Sequence, residues 1–127
     1  MYKLSPGDVI RVDLGDDNVF LYICLCNHEY WFLRIGPKDL WKCGFPLHAN
    51  EVTWSDRDCY VELNQVHKLP KPAVDAAMYN RADVIGRWPR FLFEPLIDAI
   101  QSAPTIETKK KEYIESRLRC GDEIIEE

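Results

Sequence analysis

Basic and imidazole side chains cluster in and around the segment that we predict as the third strand. His28, Arg34, Lys38, Lys42 and His48 all fall within this part of the chain. A cluster of histidine, lysine and arginine side chains could carry out general acid–base cleavage of RNA. We therefore predict Arg34 and His48 as catalytic residues. The competing interpretation is scattered surface charge, because the spacing matches no catalytic signature.

The same segment supplies the residues that we predict to bind RNA or a protein partner: His28, Lys38, Trp41 and Lys42. Lysine attracts phosphate, and an exposed indole can stack on a nucleic-acid base. The chain has four tryptophans, and most tryptophans in a small barrel belong to its core. Trp41 is therefore a candidate for stacking on a base, and the alternative is that it packs in the core.

A second group of chemically competent residues is Cys24-x-Cys26-x-His28. Alternate residues of a strand share a face, and thiolate and imidazole are ligands that zinc prefers. Same-face side chains on a flat strand stand roughly 7 Å apart, however, which is too far to converge on one ion without help. We predict buried, reduced thiols here and no metal or cofactor; the five cysteines of the chain are an odd number, which argues against a disulfide framework.

Composition limits the classes of protein to consider. The chain has 127 residues, of which 46% are hydrophobic, which is typical of one globular domain. Its net charge of −5 argues against binding to nucleic acid through phosphate contacts alone. No apolar run approaches the ~18 residues that span a bilayer, and the opening residues lack an apolar secretory segment. We therefore expect a cytoplasmic protein without membrane contact.

The elements that must position these residues are strands first and helices afterwards. Alternating or apolar runs bounded by turn residues predict strands at 9–14, 19–26, 30–35, 59–64 and 83–88. The run at 19–26 is apolar on both faces, which predicts a strand that is covered on both sides. Residues 37–50 read as a loop with room for one short strand, and 73–81 as one or two helical turns.

The second half of the chain is predicted to be helical. Residues 91–103 carry an apolar stripe at helical spacing, with Pro95 in the first turn, where a missing N–H costs little. A more polar helix follows over 105–119, with Thr108 as a candidate N-cap and Glu115 and Arg119 spaced as an ion pair. The predicted fold is α+β: a small antiparallel β-barrel domain with its helix over 1–104, then a charged helix and acidic tail over 105–127.

Three short motifs in this order resemble the MazF/PemK toxin family: PGDVIRVDL at 6–14, YVELNQVHKL at 60–69, and IGRW at 85–88 before the helix. The resemblance implies an SH3-like barrel, commonly a homodimer, that cleaves RNA without metal and is neutralised by an antitoxin peptide. It also implies an arginine in the first loop and a hydroxyl after the third strand. Here those segments read Gly-Asp-Asp-Asn at 15–18 and Gly-Pro-Lys at 36–38, so neither residue has a counterpart.

Two functions therefore remain open. The first is a MazF/PemK-like endoribonuclease with relocated catalytic residues. The second is a catalytically inactive barrel that binds a protein partner, for example as an inhibitor or adaptor carried by a mobile element. The missing arginine, the missing hydroxyl and the acidic charge favour the second, whereas the family resemblance favours the first.

Overall fold

The computed structural model describes residues 4–13, 19–37, 44–79 and 83–124, with side chains as far as Arg119. Within these residues the fold is α+β, with one antiparallel sheet and three α-helices. The strands are β1 (Asp8–Asp13), β2 (Val19–Cys26), β3 (Trp31–Gly36), β4 (Phe45–Leu47), β5 (Cys59–Val61), β6 (His67–Lys68) and β7 (Val84–Arg87). The sheet order is β4-β5-β3-β2-β1-β7, and β6 pairs with the other end of β3.

The helices are α1 (Lys71–Tyr79), α2 (Phe93–Ser102) and α3 (Thr108–Ile124). Pro72 and Pro95 both lie in the first turn of a helix, where no intrahelical N–H donor is needed. The predicted N-cap of α3 is wrong by one residue. Lys111 N donates to Glu107 O at 2.9 Å, so Glu107 and not Thr108 precedes the first helical turn. The predicted pair Glu115–Arg119 is confirmed at 2.9 Å.

The two faces of the sheet are covered by different helices. On one face, alternate strand residues such as Ile23 and Leu33 pack against α2 and α3 in the larger core cluster. On the other face, Ile10, Tyr22 and Phe32 belong to a smaller cluster that includes Val74 of α1. Residues 22–26 of β2 are consequently buried on both sides, which confirms the prediction from its continuous apolar run.

The sheet curls into a half-barrel whose edge strands β4 and β7 approach each other. The rings of Phe45 and Trp88 lie 5.8 Å apart between centroids, and Trp54 Nε1 donates to Arg87 O at 3.3 Å. Trp88 is fully buried and donates from Nε1 to Leu92 O. Indole side chains thus join the two edges where no backbone ladder is found among the described strands. No helix in the described ranges combines the length and apolar character needed to cross a membrane.

Candidate functional site

Helix α1 covers only part of its sheet face, and a polar cluster occupies the remaining part. Tyr22 lies opposite Arg34 in the β2–β3 pairing, and Phe32 lies opposite His67 in the β3–β6 pairing. Directly opposed residues in antiparallel strands share a face, so these side chains lie on the same side of the sheet. With Glu62, just after β5, they form what we call the Arg34 cluster: Tyr22, Arg34, Glu62 and His67.

Arg34 and Glu62 form an asymmetric ion pair at the centre of this cluster. Arg34 donates from Nε to Oε1 of Glu62 at 3.0 Å, and its Nη2 lies 3.0 Å from the same oxygen as an ion-pair contact. The side chain of Glu62 is only 5% exposed, and its Oε2 accepts no hydrogen bond from any described residue. The Arg34 guanidinium also lies 4.8 Å from the centroid of the Phe20 ring. The arginine is therefore fixed in position and partly neutralised.

Among the titratable side chains of the Arg34 cluster, the imidazole of His67 is the one best suited to accept and release a proton. Its ring contacts the ring of Tyr22 edge-on, with centroids 5.8 Å apart. Burial, and next the positive charge of Arg34, lower the pKa of His67, while Glu62 acts in the opposite direction. Nε2 of His67 is buried and has no hydrogen-bond partner among the described residues. His67 is therefore a neutral imidazole at neutral pH, which is the form that accepts a proton.

A pocket of about 370 Å³ opens beside Arg34, where β2 begins and β3 ends. Its apolar walls come from Phe20, Leu21, Ile35 and other residues, and its polar groups come from Arg34, Glu62, Ser55 and Arg57. The full lining is Val19, Phe20, Leu21, Arg34, Ile35, Gly36, Pro37, Ser55, Arg57, Cys59 and Glu62. Glu62 is nearly buried, whereas the side chain of Arg57 is 78% exposed, so the ion pair lies deep and Arg57 lies at the rim.

The structure does not bring the two predicted catalytic residues together. Arg34 pairs with Glu62, just after β5, whereas His48 Nδ1 lies 3.7 Å from Oδ2 of Asp58, just before β5. Asp58 and Glu62 are four positions apart along extended chain, which corresponds to about 13 Å. His48 is 65% exposed, and its backbone N–H donates to Glu51 Oε1 in a short helical turn.

The predicted binding residues are likewise not gathered at one place. His28 is exposed in the turn between β2 and β3, at the end of β3 away from the pocket. Lys38, Trp41 and Lys42 lie outside the described residues, so their predicted role stays a prediction. Lys38 directly follows Pro37, which lines the pocket.

The predicted alignment of Cys24, Cys26 and His28 on one face of β2 is wrong. The β2–β3 register shifts between Cys24 and Cys26. Cys24 packs in the cluster under α1, whereas Cys26 Sγ lies 3.5 Å from the hydroxyl of Tyr113 on α3. Burial raises the pKa of the Cys24 thiol well above its usual value. In the described part of the chain no three histidine, cysteine or acidic residues are grouped as a metal site.

Sequence reasoning missed Glu62 and His67 as site residues. Glu62 is 28 positions from Arg34 in the chain, and it reaches Arg34 because β5 pairs with the end of β3. His67 lies in β6, a strand of only two residues, which is too short for a periodic pattern in the sequence to predict it. The only signal in the sequence was the position of both residues within the YVELNQVHKL motif.

Comparison of the chain with protein-family models, with curated proteins and with solved structures finds no match in any of the three.

Proposed function

We propose that this protein is a cytoplasmic SH3-like barrel of the MazF/PemK kind, and that it acts on single-stranded RNA at the Arg34 cluster. The observation that carries the proposal is a fixed arginine that lines the pocket, with a neutral histidine in the same cluster of side chains. Arg34 supplies positive charge, and the adjacent apolar walls supply a surface for bases. The motifs at 6–14, 60–69 and 85–88 support the same assignment.

The chemistry open to this cluster is cleavage by internal transesterification. The ribose 2′-oxygen attacks the neighbouring phosphorus, a new P–O2′ bond forms and the P–O5′ bond breaks. His67 accepts the 2′ proton, and water returns a proton to the leaving 5′-oxygen. Arg34 stabilises the charge on the five-coordinate phosphorus. The products are a 2′,3′-cyclic phosphate and a 5′-hydroxyl end.

The test is incubation of metal-free protein with a long mixed-sequence RNA, followed by mapping of new 5′ ends. We expect discrete cuts that disappear in Arg34→Ala and His67→Ala and persist in His48→Ala, because His48 lies at the opposite end of β5. Loss of the cuts in His48→Ala but not in His67→Ala would instead support the catalytic pair predicted from the sequence. Cuts that persist in all three variants would come from a contaminating nuclease.

One observation favours the second candidate function, a barrel that binds without cleaving. Glu62 neutralises Arg34 through a hydrogen bond and a close ion pair, which weakens the attraction of Arg34 for a phosphate. In this case RNA stays intact at high protein excess. The protein partner would be an antitoxin-like peptide, and a homodimer remains part of the family proposal. Sedimentation of the purified chain at several concentrations tests the dimer.

A further inference from the structure

We infer that Glu62 is an intramolecular competitor of RNA: its carboxylate holds the Arg34 guanidinium in the free protein, and an RNA phosphate has to displace it. The inference rests on the proposed function and deepens it, because it assigns the regulation of that same site. It is carried by the contact between the two side chains inside the pocket, which both of them line.

The backbone fixes Glu62 beside Arg34. The N–H of Glu62 donates to Arg34 O at 2.8 Å, directly after the residues of β5 that pair with β3. The side chains meet at the same place, through the hydrogen bond from Nε and the Nη2 contact of 3.0 Å. Gly36 leaves room for the carboxylate, since a Cβ at that position would lie 2.6 Å from Oε2 of Glu62. The pair is therefore built into the pocket and is not a chance surface contact.

A carboxylate and a phosphate compete for the same groups of an arginine. Both accept hydrogen bonds from a guanidinium in similar, often bidentate geometry. Glu62 occupies the edge of Arg34 that Nε and Nη2 form. A phosphate that binds this edge must displace Glu62, and a phosphate that binds the other edge lies close to a carboxylate that is only 5% exposed and little screened. In either arrangement Glu62 lowers the affinity of Arg34 for phosphate without removing the site.

RNA binding is therefore an exchange of one contact for several. The loss of the Arg34–Glu62 pair is offset by contacts that the strand makes elsewhere in the pocket. The apolar walls and the exposed guanidinium of Arg57 at the rim supply them. Arg34 is then free to stabilise the phosphate charge, as the proposed cleavage requires, and Glu62 sets how readily this happens.

Three variants test the competition. Glu62→Gln removes the competing charge and keeps the length of the side chain, so we expect it to bind RNA about tenfold more tightly. Glu29→Gln, exposed in the β2–β3 turn, makes the same change of net charge and should stay within about twofold of the wild type. The double variant Arg34→Met with Glu62→Gln should lose the gain, because no guanidinium is left to release.

The measurement is fluorescence anisotropy with a short labelled single-stranded 2′-O-methyl oligonucleotide, which cannot be cleaved. If the wild type binds and Glu62→Gln binds equally or more weakly, the inference is overturned and the proposed RNA function stands. A gain that Glu29→Gln matches, or that persists in the double variant, would overturn it too, because the gain would not pass through Arg34. Binding by Glu62→Gln alone would support the inference. Absence of binding by both proteins would overturn the inference and the proposed function together.

A measurement on the wild type decides if Glu62→Gln does not fold. The carbon-13 resonance of the Glu62 carboxyl reports whether Arg34 is bound to it. A saturating amount of the oligonucleotide should shift this resonance, since the carboxylate loses its cation. An unchanged resonance would mean that the pair stays intact in the presence of RNA, and the inference would be wrong.

Discussion

Asp8 and Arg87 form an ion pair that fastens the last strand of the sheet to the first. Arg87 Nη1 donates to Asp8 Oδ1 at 2.7 Å, and the carboxylate of Asp8 is fully buried. The other oxygen, Oδ2, accepts the backbone N–H of Ser5 at 2.8 Å, and Arg87 Nη2 reaches Pro6 O at 3.2 Å. One carboxylate thus orders the turn before β1 and holds the end of β7.

Asp8→Ala should lower the free energy of unfolding by about 3 kcal/mol, because it breaks a partly buried ion pair and leaves the backbone N–H of Ser5 without its acceptor. Urea unfolding followed by tryptophan fluorescence measures the loss. The matched control is Arg11→Met, which removes the Arg11–Asp83 pair of 2.8 Å between the same two regions. Arg11 is 49% exposed, so this change should cost less than about 1 kcal/mol. Equal losses in the two variants would contradict the special role of Asp8.

Gly86→Ala should destabilise the fold more than Gly36→Ala. A Cβ at Gly86 would lie 2.5 Å from Cδ1 of Trp54, whose indole is tied to Arg87 O. At Gly36 the obstructing atom is the end of a flexible glutamate. We expect a loss of about 2 kcal/mol for Gly86→Ala from overpacking. Thermal or urea midpoints of the two variants test the order, which would be reversed if the Trp54 ring moved freely.

Protonation of His67 should destabilise the folded protein. Its pKa is lowered in the folded state, first by burial and then by Arg34, so below its usual value of about 6.5 the unfolded chain binds more protons. Stability should therefore fall as the pH drops through about 6.5, until the folded-state pKa is reached. His67→Gln should remove this part of the pH dependence in urea unfolding between about pH 7.5 and pH 5.5. An unchanged slope would show that His67 titrates as in the unfolded chain.

Removing the charge of Arg34 should raise the pKa of His67, because Arg34 is the second cause of its lowering. The measurement is an NMR titration of the His67 ring in wild type and Arg34→Met. His28 and His48 serve as internal controls, since both are exposed and neither contacts Arg34 in the described structure. A pKa of His67 that does not move would place the two side chains farther apart than the cluster requires.

Cys24 should resist alkylation in the native protein. Its side chain is fully buried, and burial raises the pKa of its thiol, so the reactive thiolate is scarce. Iodoacetamide treatment at about pH 8, with peptide mass mapping, should leave Cys24 unmodified until urea is added. Rapid native modification of Cys24 would mean that α1 readily leaves its face of the sheet.

The parts of the fold that the sequence predicted are those governed by local pattern. The bounds of β2 follow from an uninterrupted apolar run between turn residues, and α2 follows from its apolar stripe and from Pro95 in its first turn. Strand β5 is shorter than the predicted run over 59–64, since after Val61 the chain leaves the ladder. Pairing partners, and not propensity, decide where such a strand ends.

The candidate site was predictable only in part. Arg34 could be chosen by residue type, but its partners come from β5 and β6, and the choice of those partners depends on cross-strand register. His48 lies nearer to Arg34 in sequence than His67 does, yet β5 separates it from Arg34 in space. The alternation of residues predicted that Cys24 and Cys26 share a face of β2. It could not predict the register shift between them, which places them on different faces.

The indole contacts between β4 and β7 have a consequence for self-association. Edge strands with free backbone groups recruit strands from other chains and lead to aggregation. Here Pro46 at the centre of β4 has no N–H to offer, and Trp54 already occupies the carbonyl of Arg87 on β7. Both edges of the sheet are therefore less suited to growth by strand addition, and we expect any pairing of two copies to use another surface.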